Sequence, residues 1–347
     1  MGEIEQRKVD HLELCATDEV AFREKSTLLE CVQLVHNSLP DLSERSLDTS
    51  VKLLGKELRA PLIIAAMTGG SEPSAEVNHC LSAVAEARGY GFGLGSQRAM
   101  QRAPETAWTY EVRQHAPTTL LLGNVGVVQA RDTPTAELVK LVEDIGADAL
   151  CVHMNPAQEL VQPGGDRDFR GGLQTFERLV RELPFPVVAK ETGNGIGKGT
   201  AAALRQVGVQ VCDVSGAGGT SWVGVEALRA EPTARALGEL LWDWGVPTAA
   251  AVAHAHAAGL EPIATGGIKT GLDVARAIAL GARAAGIARP LLQAFKQGGR
   301  EAVETFLDGV ELQLRAVMLL CGARDLEALR RHERVITGEL CTWTAQL

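Results

Sequence analysis

The feature that most constrains the fold of this chain is a repeated order of helix, glycine and strand. Several helical stretches end in a glycine just before a short apolar run, as in Arg88-Gly89 and Leu280-Gly281. Glycine readily adopts the left-handed conformation that ends a helix. Each such glycine therefore predicts a helix terminus followed by a strand. Eight apolar runs fit this order, at residues 62–66, 91–95, 120–124, 149–154, 187–191, 211–215, 263–265 and 284–288.

Most of these runs are apolar on both faces, which is typical of parallel strands that are covered by helices. Aromatic residues make up only 4% of the chain, so the core must consist of Ala, Val, Leu and Ile. An open doubly wound sheet would share the same order of elements, but the count of eight favours a closed (β/α)₈ TIM barrel.

We expect an α/β fold with a single domain over residues 1–347. Within it we expect an N-terminal cap at 1–60, the barrel at 61–292 and a helical C-terminal extension at 293–347. Residues 216–261 are long for one crossover and predict a lid near the barrel mouth.

Composition excludes several classes of protein. The formal net charge of −9 disfavours a nucleic-acid partner, although a small anionic substrate remains possible. Seven cysteines, an odd number with no C-x-x-C pair, predict neither a disulfide framework nor a zinc knuckle and fit a reducing cytoplasm. The first residues lack the apolar segment of a signal peptide, and no apolar run approaches the roughly 20 residues that span a bilayer. We therefore expect a cytoplasmic protein with no membrane partner.

Polar and glycine-rich residues follow the predicted strands. In a TIM barrel the loops after the strands meet at the C-terminal mouth, where the chemistry takes place. Gly266-Gly267 precedes a helical stretch at 270–280, and Arg289 follows the eighth strand. Backbone N–H groups at such a helix start bind phosphate. The sequence therefore predicts a phosphate site between these two loops.

Three groups of ionisable residues have more than one interpretation. Lys190, at the end of an apolar strand, could neutralise a cofactor anion, act as a Schiff-base amine, or form an ion pair with Glu191.

His153 and Glu159 are candidate acid–base or metal groups, and a lone carboxylate suits Mg²⁺, which is completed by substrate phosphates. His153 could instead be a core histidine, which is how we interpret His254 and His256. The basic cluster of Arg7, Lys8 and His11 could be a solvated tail.

At these residues the chain resembles the type 2 isopentenyl-diphosphate isomerases, which depend on FMN. The resemblance covers nearly the whole chain, and its specific motifs are the His-to-Glu and Gly-to-Trp segments. The matching segments are Arg7-Lys8 with His11, residues 54–58, 65–70, 95–98, 153–159, 165–171, 216–222 and 264–268.

The resemblance implies roles for individual residues. It implies that Gln158 and His153 are catalytic and that Glu159 binds Mg²⁺. The implied substrate-binding residues are Arg7, Lys8, His11, Ser96, Gln97, Arg98, His153, Asn155 and Gln158. The implied FMN-binding residues are Ala66, Met67, Thr68, Ser96, Asn124, Lys190, Ser215, Thr220, Gly266, Gly267, Ala288 and Arg289.

The implied reaction converts isopentenyl diphosphate to dimethylallyl diphosphate with reduced FMN, with NADPH or NADH as the reductant. Gln158 is an amide and a poor acid or base, so the resemblance implies that the reduced flavin transfers the proton while Gln158 orients it. We also expect a homo-oligomer.

Three alternatives remain open. An FMN-dependent hydroxy-acid dehydrogenase or oxidase would need a histidine base and an arginine after the seventh strand, where this chain has Lys269 and no histidine. A Schiff-base aldolase would use Lys190. A non-catalytic scaffold would bind a phosphate ligand without turnover.

Overall fold

The structure, a computed structural model, describes residues 3–345, with side chains from residue 6 onward. Eight strands form a closed barrel in the order β10-β11-β4-β5-β6-β7-β8-β9, and each neighbouring pair is parallel. The barrel strands are β4 (Leu62–Ile64), β5 (Gly91–Gly93), β6 (Leu120–Gly126), β7 (Ala149–Met154), β8 (Val187–Glu191), β9 (Val211–Asp213), β10 (Glu261–Ala264) and β11 (Ala284–Ile287).

Each of the eight predicted runs overlaps one barrel strand, so the prediction of a TIM barrel is confirmed. The glycines that predicted helix ends are also confirmed. Gly89 ends its helix with a φ of 67°, and Gly281, two residues after the last residue of its helix, has a φ of 112°.

The described residues form fifteen α-helices, most of which surround the barrel. They are α1 (Glu3–Cys15), α2 (Glu72–Arg88), α3 (Arg98–Arg102), α4 (Val127–Asp132), α5 (Thr135–Glu143), α6 (Pro156–Val161), α7 (Gly172–Glu182), α8 (Lys198–Gln206), α9 (Trp222–Arg229), α10 (Pro232–Leu240), α11 (Thr248–Ala257), α12 (Gly271–Ala279), α13 (Arg289–Leu320), α14 (Leu326–Arg331) and α15 (Gly338–Thr344). Short 3₁₀ helices lie at Leu29–Cys31, Glu44–Ser46 and Pro104–Tyr110.

We expected the first 60 residues to cap one end of the barrel, but they contribute to both ends. The antiparallel pair β2 (Val51–Leu53) and β3 (Lys56–Leu58) lies at the N-terminal end. There Lys56 Nζ donates to the Thr118 carbonyl, just before β6, at 3.0 Å. Helix α1 lies at the opposite end, over the C-terminal mouth. The division follows from the closed barrel, because its apolar interior must be shielded from water at both ends.

The C-terminal extension is mainly helical, as expected, but it does not begin with a break at residue 293. Helix α13 continues across that position and bends at Gly298 and Gly299, which have non-helical dihedral angles. Strand β12 (Arg334–Ile336) then pairs with β1 (Val32–Leu34). The extension therefore returns to the N-terminal segment.

Residues 216–261 contain three helices. Helix α9 lies over the barrel mouth, where Glu226 joins it to α1, and this agrees with the predicted lid. Helix α11 is the barrel helix before β10. It buries His254, whose Nε2 lies 3.2 Å from the Trp343 carbonyl, consistent with a structural role.

All seven cysteines are free. No helix within residues 3–345 combines the length and apolar character required to cross a bilayer.

Candidate active site

A cavity lies at the C-terminal ends of the barrel strands and is open to solvent at its mouth. All the predicted site residues except Thr68 and Gln97 line this cavity. The predicted residues that line it are Arg7, Lys8, His11, Ala66, Met67, Ser96, Arg98, Asn124, His153, Asn155, Gln158, Glu159, Lys190, Ser215, Thr220, Gly266, Gly267, Ala288 and Arg289.

Gln97 departs from the expectation that it contacts the substrate, because its side chain is buried in the barrel wall. Its Nε2 donates to the Leu141 carbonyl at 3.1 Å, and its Oε1 accepts from the Asn124 N–H at 2.9 Å. The amide is therefore satisfied within the protein, and it positions Asn124. The Thr68 hydroxyl lies 2.6 Å from Ser74 Oγ, in a smaller space that adjoins the main cavity beside Met67.

Three buried polar residues lie side by side on neighbouring strands. His153 on β7 is in register with Lys190 on β8, which is in register with Asp213 on β9. Side chains at the same level of adjacent parallel strands point to the same side of the sheet. The strand register thus forms a row of three polar groups inside the barrel, below the cavity.

Lys190 forms its ion pair with Asp213 and not with Glu191. Its Nζ donates to Asp213 Oδ2 at 2.8 Å and to Ser215 Oγ at 2.6 Å. Glu191 points to the other face of the strand, because successive residues alternate. There its Oε2 accepts the backbone N–H groups of Gly193 at 2.6 Å and Gly195 at 3.1 Å. The Lys190–Glu191 ion pair, one of the three interpretations of Lys190, is therefore not formed.

His153 is a neutral imidazole with a fixed orientation. Burial lowers its pKa to about 3, and the cations of Lys190, Lys8 and Arg98 act in the same direction. Its Nδ1 lies 2.8 Å from Asn124 Oδ1, whose amide is oriented by donation from Nδ2 to the Leu94 carbonyl at 3.0 Å. Nδ1 therefore carries the proton, and Nε2 is an acceptor until the ring gains a second proton.

Arg7, Lys8 and Arg98 form a cationic cluster at one end of the cavity. Burial, followed by the charge of Arg7, lowers the pKa of Lys8 to about 8. Lys8 makes no hydrogen bond or ion pair with the residues that the structure describes. The Nε atoms of Arg7 and Arg98 are buried without a hydrogen-bond partner among those residues. Buried donors without partners are costly, so this arrangement favours an anionic ligand.

Glu159 is a buried carboxylate beside this cluster. Asn155 Nδ2 donates to its Oε1 at 3.1 Å, and the backbone N–H of Asp166 donates to its Oε2 at 2.7 Å. Arg98 lies 3.8 Å away. Residues 3–345 contain no group of three or more His, Cys, Asp or Glu side chains placed to hold a metal ion. A cation here would need further oxygen ligands from a bound molecule or from water.

Glu226 on α9 is a site residue that the sequence reasoning missed. Its carboxylate is fully buried and lies 3.0 Å from His11 Nε2, and it accepts from Gln158 Nε2 at 3.2 Å and from Arg229 at 2.9 Å. Burial raises its pKa, but the contacts with His11 and Gln158 outweigh burial and hold it below the ordinary value. The available signal was a single acidic residue within the apolar run 223–228, since buried charges are rarely left unpaired.

The cofactor end of the cavity differs from the predicted phosphate site in one respect. The first N–H groups of α12 already have partners, because Thr270 and Asp273 form a capping box and Gln313 accepts from Gly271 at 2.8 Å. The start of α13 lines the cavity instead, with Ala288, Arg289 and Pro290. The Gly266-Gly267 loop, with φ values of 98° and 76°, also lines it.

Arg289 is a donor with few partners. Its side chain is 7% exposed, and its NH1 lies 3.5 Å from the Thr17 carbonyl and 3.7 Å from Asp18 Oδ1. These contacts are long for hydrogen bonds. A buried cation with weakly used donors, beside a glycine loop with no side chains, is suited to a phosphate group.

The solved structures that resemble this chain are flavoproteins with the same barrel. A flavocytochrome b2 variant with benzoylformate aligns with a TM-score of 0.69, covering 95% of this chain and 81% of that chain at 21% identity. A mandelate oxidase variant with (S)-mandelic acid aligns with a TM-score of 0.68, covering 97% and 98% at 20% identity. At this identity the likeness shows the fold alone.

The sequence relatives are closer. An isopentenyl-diphosphate delta-isomerase of Methanothermobacter thermautotrophicus is 43% identical over 99% of this chain and 96% of its own length. One of Synechococcus sp. is 45% identical over 94% of both chains. The profile of the FMN-dependent dehydrogenase family matches residues 2–182 and 172–336. The chain therefore belongs to the FMN-dependent dehydrogenase family and, within it, to the type 2 isopentenyl-diphosphate delta-isomerases.

Proposed function

We propose that this chain interconverts isopentenyl diphosphate and dimethylallyl diphosphate, using reduced FMN and Mg²⁺. The observation that carries the proposal is that one cavity is lined by two groups of residues suited to bind anions. The glycine loop and Arg289 form one end, and the cluster of Arg7, Lys8 and Arg98 forms the other. A phosphorylated cofactor and a diphosphate substrate can therefore bind in the same cavity.

The cationic cluster would bind the diphosphate. Each charge-assisted hydrogen bond to phosphate contributes about 1.5–3 kcal/mol. Asn155 and Ser96 line the same part of the cavity and can donate to phosphate oxygens. His153 can accept a hydrogen bond at Nε2 as it stands, and it becomes a donor once protonated.

Glu159 would hold Mg²⁺ against the diphosphate. Mg²⁺ is commonly bound by one or two carboxylates, with substrate phosphates and water as the remaining ligands. The hydrogen bonds from Asn155 and the Asp166 backbone fix the orientation of this carboxylate. A single carboxylate beside a diphosphate site therefore fits the requirements of this ion.

FMN fits the other end of the cavity. Arg289 and the Gly266-Gly267 loop would hold its phosphate, and Lys190 would lie against its ring system. When bound and reduced, FMN supplies the acid–base group for the proton transfers and an electron-rich surface for transient positive charge.

Gln158 would position the reacting carbons. An amide has no useful acid–base chemistry near neutral pH, so its contribution is orientation. Its Nε2 donates to Glu226, which also holds His11. Trp222 packs edge-on against His11, with ring centroids 5.2 Å apart, and supports this part of the wall.

The alternative activities have less support. The loop after β10 has Lys269 and no histidine, so the base required for a hydroxy-acid dehydrogenase is missing from that position. A Schiff-base aldolase needs a free amine lone pair, but Lys190 is engaged with Asp213 and Ser215.

The reducing cytoplasm, where NADPH or NADH can keep the flavin reduced, is the proposed compartment. Seven free cysteines are compatible with it. We further propose a homo-oligomer, which static light scattering on the purified protein would test.

The test of function is isomerisation under anaerobic conditions, with the flavin reduced once by dithionite and no nicotinamide present. The reaction has no net redox change, so we expect many turnovers per flavin, and excess chelator should stop them. NADPH should start the reaction with oxidised enzyme but not be consumed in proportion to product. One NADPH oxidised per product would favour a dehydrogenase, and equal rates with oxidised FMN would assign proton transfer to a side chain.

A further inference from the structure

We propose that Asp213 is a positioning residue that fixes the ammonium group of Lys190 and thereby sets the reduction potential of bound FMN. The inference rests on the proposed function, because it requires FMN in the cavity. Its basis is the buried cluster formed by Lys190, Asp213, Ser215 and Thr265, of which the proposal above uses only Lys190.

The geometry leaves one donor of Lys190 for a ligand. An ammonium group has three N–H donors. Two of them are used by Asp213 Oδ2 at 2.8 Å and Ser215 Oγ at 2.6 Å. Lys190 lines the cavity, whereas Asp213 does not. The hydrogen bonds to Asp213 and Ser215 therefore fix the direction of the third N–H of Lys190. Asp213 can affect a ligand in the cavity mainly through Lys190.

Asp213 is itself held in place. Its Oδ1 accepts from the Ser215 N–H and the Ser215 hydroxyl, both at 3.2 Å, and from the Thr265 hydroxyl. The side chains of Asp213 and Lys190 are 9% and 8% exposed, so water screens their interaction little. The carboxylate thus compensates the Lys190 charge and fixes where that charge is located.

This compensation has a consequence for the flavin. Reduction adds negative charge to the ring system, and cationic groups beside it make reduction more favourable. Asp213 opposes this effect by cancelling part of the Lys190 charge. An enzyme without this carboxylate should therefore hold its FMN at a more positive midpoint potential.

The experiment measures the midpoint potential of the FMN-loaded holoenzyme by anaerobic spectrophotometric titration. Asp213→Asn should raise the potential by at least about 30 mV, which is a tenfold change for a two-electron couple. Asp213→Glu, which keeps the charge, should restore most of the wild-type value. Asp148→Asn is the matched control. Asp148 also pairs with cations, Lys56 at 2.8 Å and Arg113 at 2.7 Å, but at the opposite end of the barrel.

An Asp213→Asn holoenzyme with the wild-type potential would overturn the inference, as would an equal shift in Asp148→Asn. If Asp213→Asn fails to retain FMN, Thr265→Val decides the question. It removes a donor from the carboxylate and strengthens its effect on Lys190, so the potential should fall; an unchanged value refutes the proposal. A wild type that isomerises its substrate while Asp213→Asn keeps its potential would refute this inference alone. A wild type that binds no FMN would refute the proposed function and this inference with it.

Discussion

At the scale of single residues, Glu159 gives the sharpest test of the metal site. Glu159→Gln keeps the shape of the side chain, but it removes the charge that attracts Mg²⁺ and replaces one acceptor oxygen with an amide donor. We expect turnover to fall by at least about a thousandfold, equivalent to the roughly 4 kcal/mol lost with a key transition-state interaction. FMN absorbance should be unchanged.

Asp168→Asn is the control for Glu159. Asp168 lies in the same loop region but is exposed and paired with Arg170 at 2.7 Å. Its substitution should leave the rate near the wild-type value. Full activity of Glu159→Gln in Mg²⁺ would show that this carboxylate is not the metal ligand.

The lowered pKa of Lys8 predicts that substrate binding depends on pH. Its pKa is lowered to about 8, so Lys8 loses its charge as pH rises through that value. The KM for isopentenyl diphosphate should therefore rise between pH 7.5 and pH 9, because the diphosphate loses one cation. Arginine stays charged throughout this range, so Lys8→Arg should show a flatter profile. The measurement is KM against pH with pre-reduced enzyme, and parallel profiles for the two proteins would contradict the assignment.

Much of the residue-scale site could be predicted from sequence, because most predicted residues lie at or just after the end of a strand and the strands end at one mouth. The exceptions depend on side-chain direction. Gln97 is adjacent to two cavity residues, Ser96 and Arg98, yet it points into the barrel wall. Glu226 was missed because it lies on a helix of the lid and reaches the site only when α9 packs on α1.

At the scale of elements, α1 closes the cavity without being part of the barrel. It is joined to α9 by the His11–Glu226 contact at 3.0 Å and the Asp10–Arg229 ion pair at 3.0 Å. Deletion of residues 1–11 should leave the barrel folded and FMN bound. It should raise the KM for substrate at least about tenfold, since Arg7 and Lys8 are lost.

The control for this deletion is removal of residues 1–5 only, which retains both cations and should leave KM near the wild-type value. Thermal unfolding and FMN absorbance would establish that both shortened proteins fold. A deletion of residues 1–11 with unchanged KM and turnover would mean that α1 is a solvated tail, the alternative left open by the sequence.

The packing of elements also explains why α12 does not offer free N–H groups to a phosphate. From sequence, the helix after Gly266-Gly267 was the natural phosphate binder. Thr270 and Asp273 form a capping box that satisfies its first N–H groups, and Gln313 from α13 satisfies another. The T-x-x-D spacing of the cap is visible in the sequence, but the contact with Gln313 depends on how α13 packs.

At the scale of the whole molecule, the closed barrel brings motifs that are distant in sequence together in one site. Strand register aligns His153, Lys190 and Asp213 although they are far apart in sequence. The pairing of β1 with β12 holds the two terminal segments against each other. Burial of this polar row would be costly if its groups had no partners. Hydrogen bonds such as that from Lys190 Nζ to Asp213 Oδ2 offset this cost inside the barrel.

The sequence by itself determined the eight strands, the helix-ending glycines and the set of residues at the mouth. These are local properties, because apolar runs, glycine conformations and strand ends are encoded by neighbouring residues. Only the tertiary structure decided that the first 60 residues contribute to both ends of the barrel and that Lys190 pairs with Asp213. It also decided that Glu226 joins α9 to the site. These outcomes depend on contacts between residues that are distant in sequence, and the geometry of barrel closure and helix packing sets those contacts.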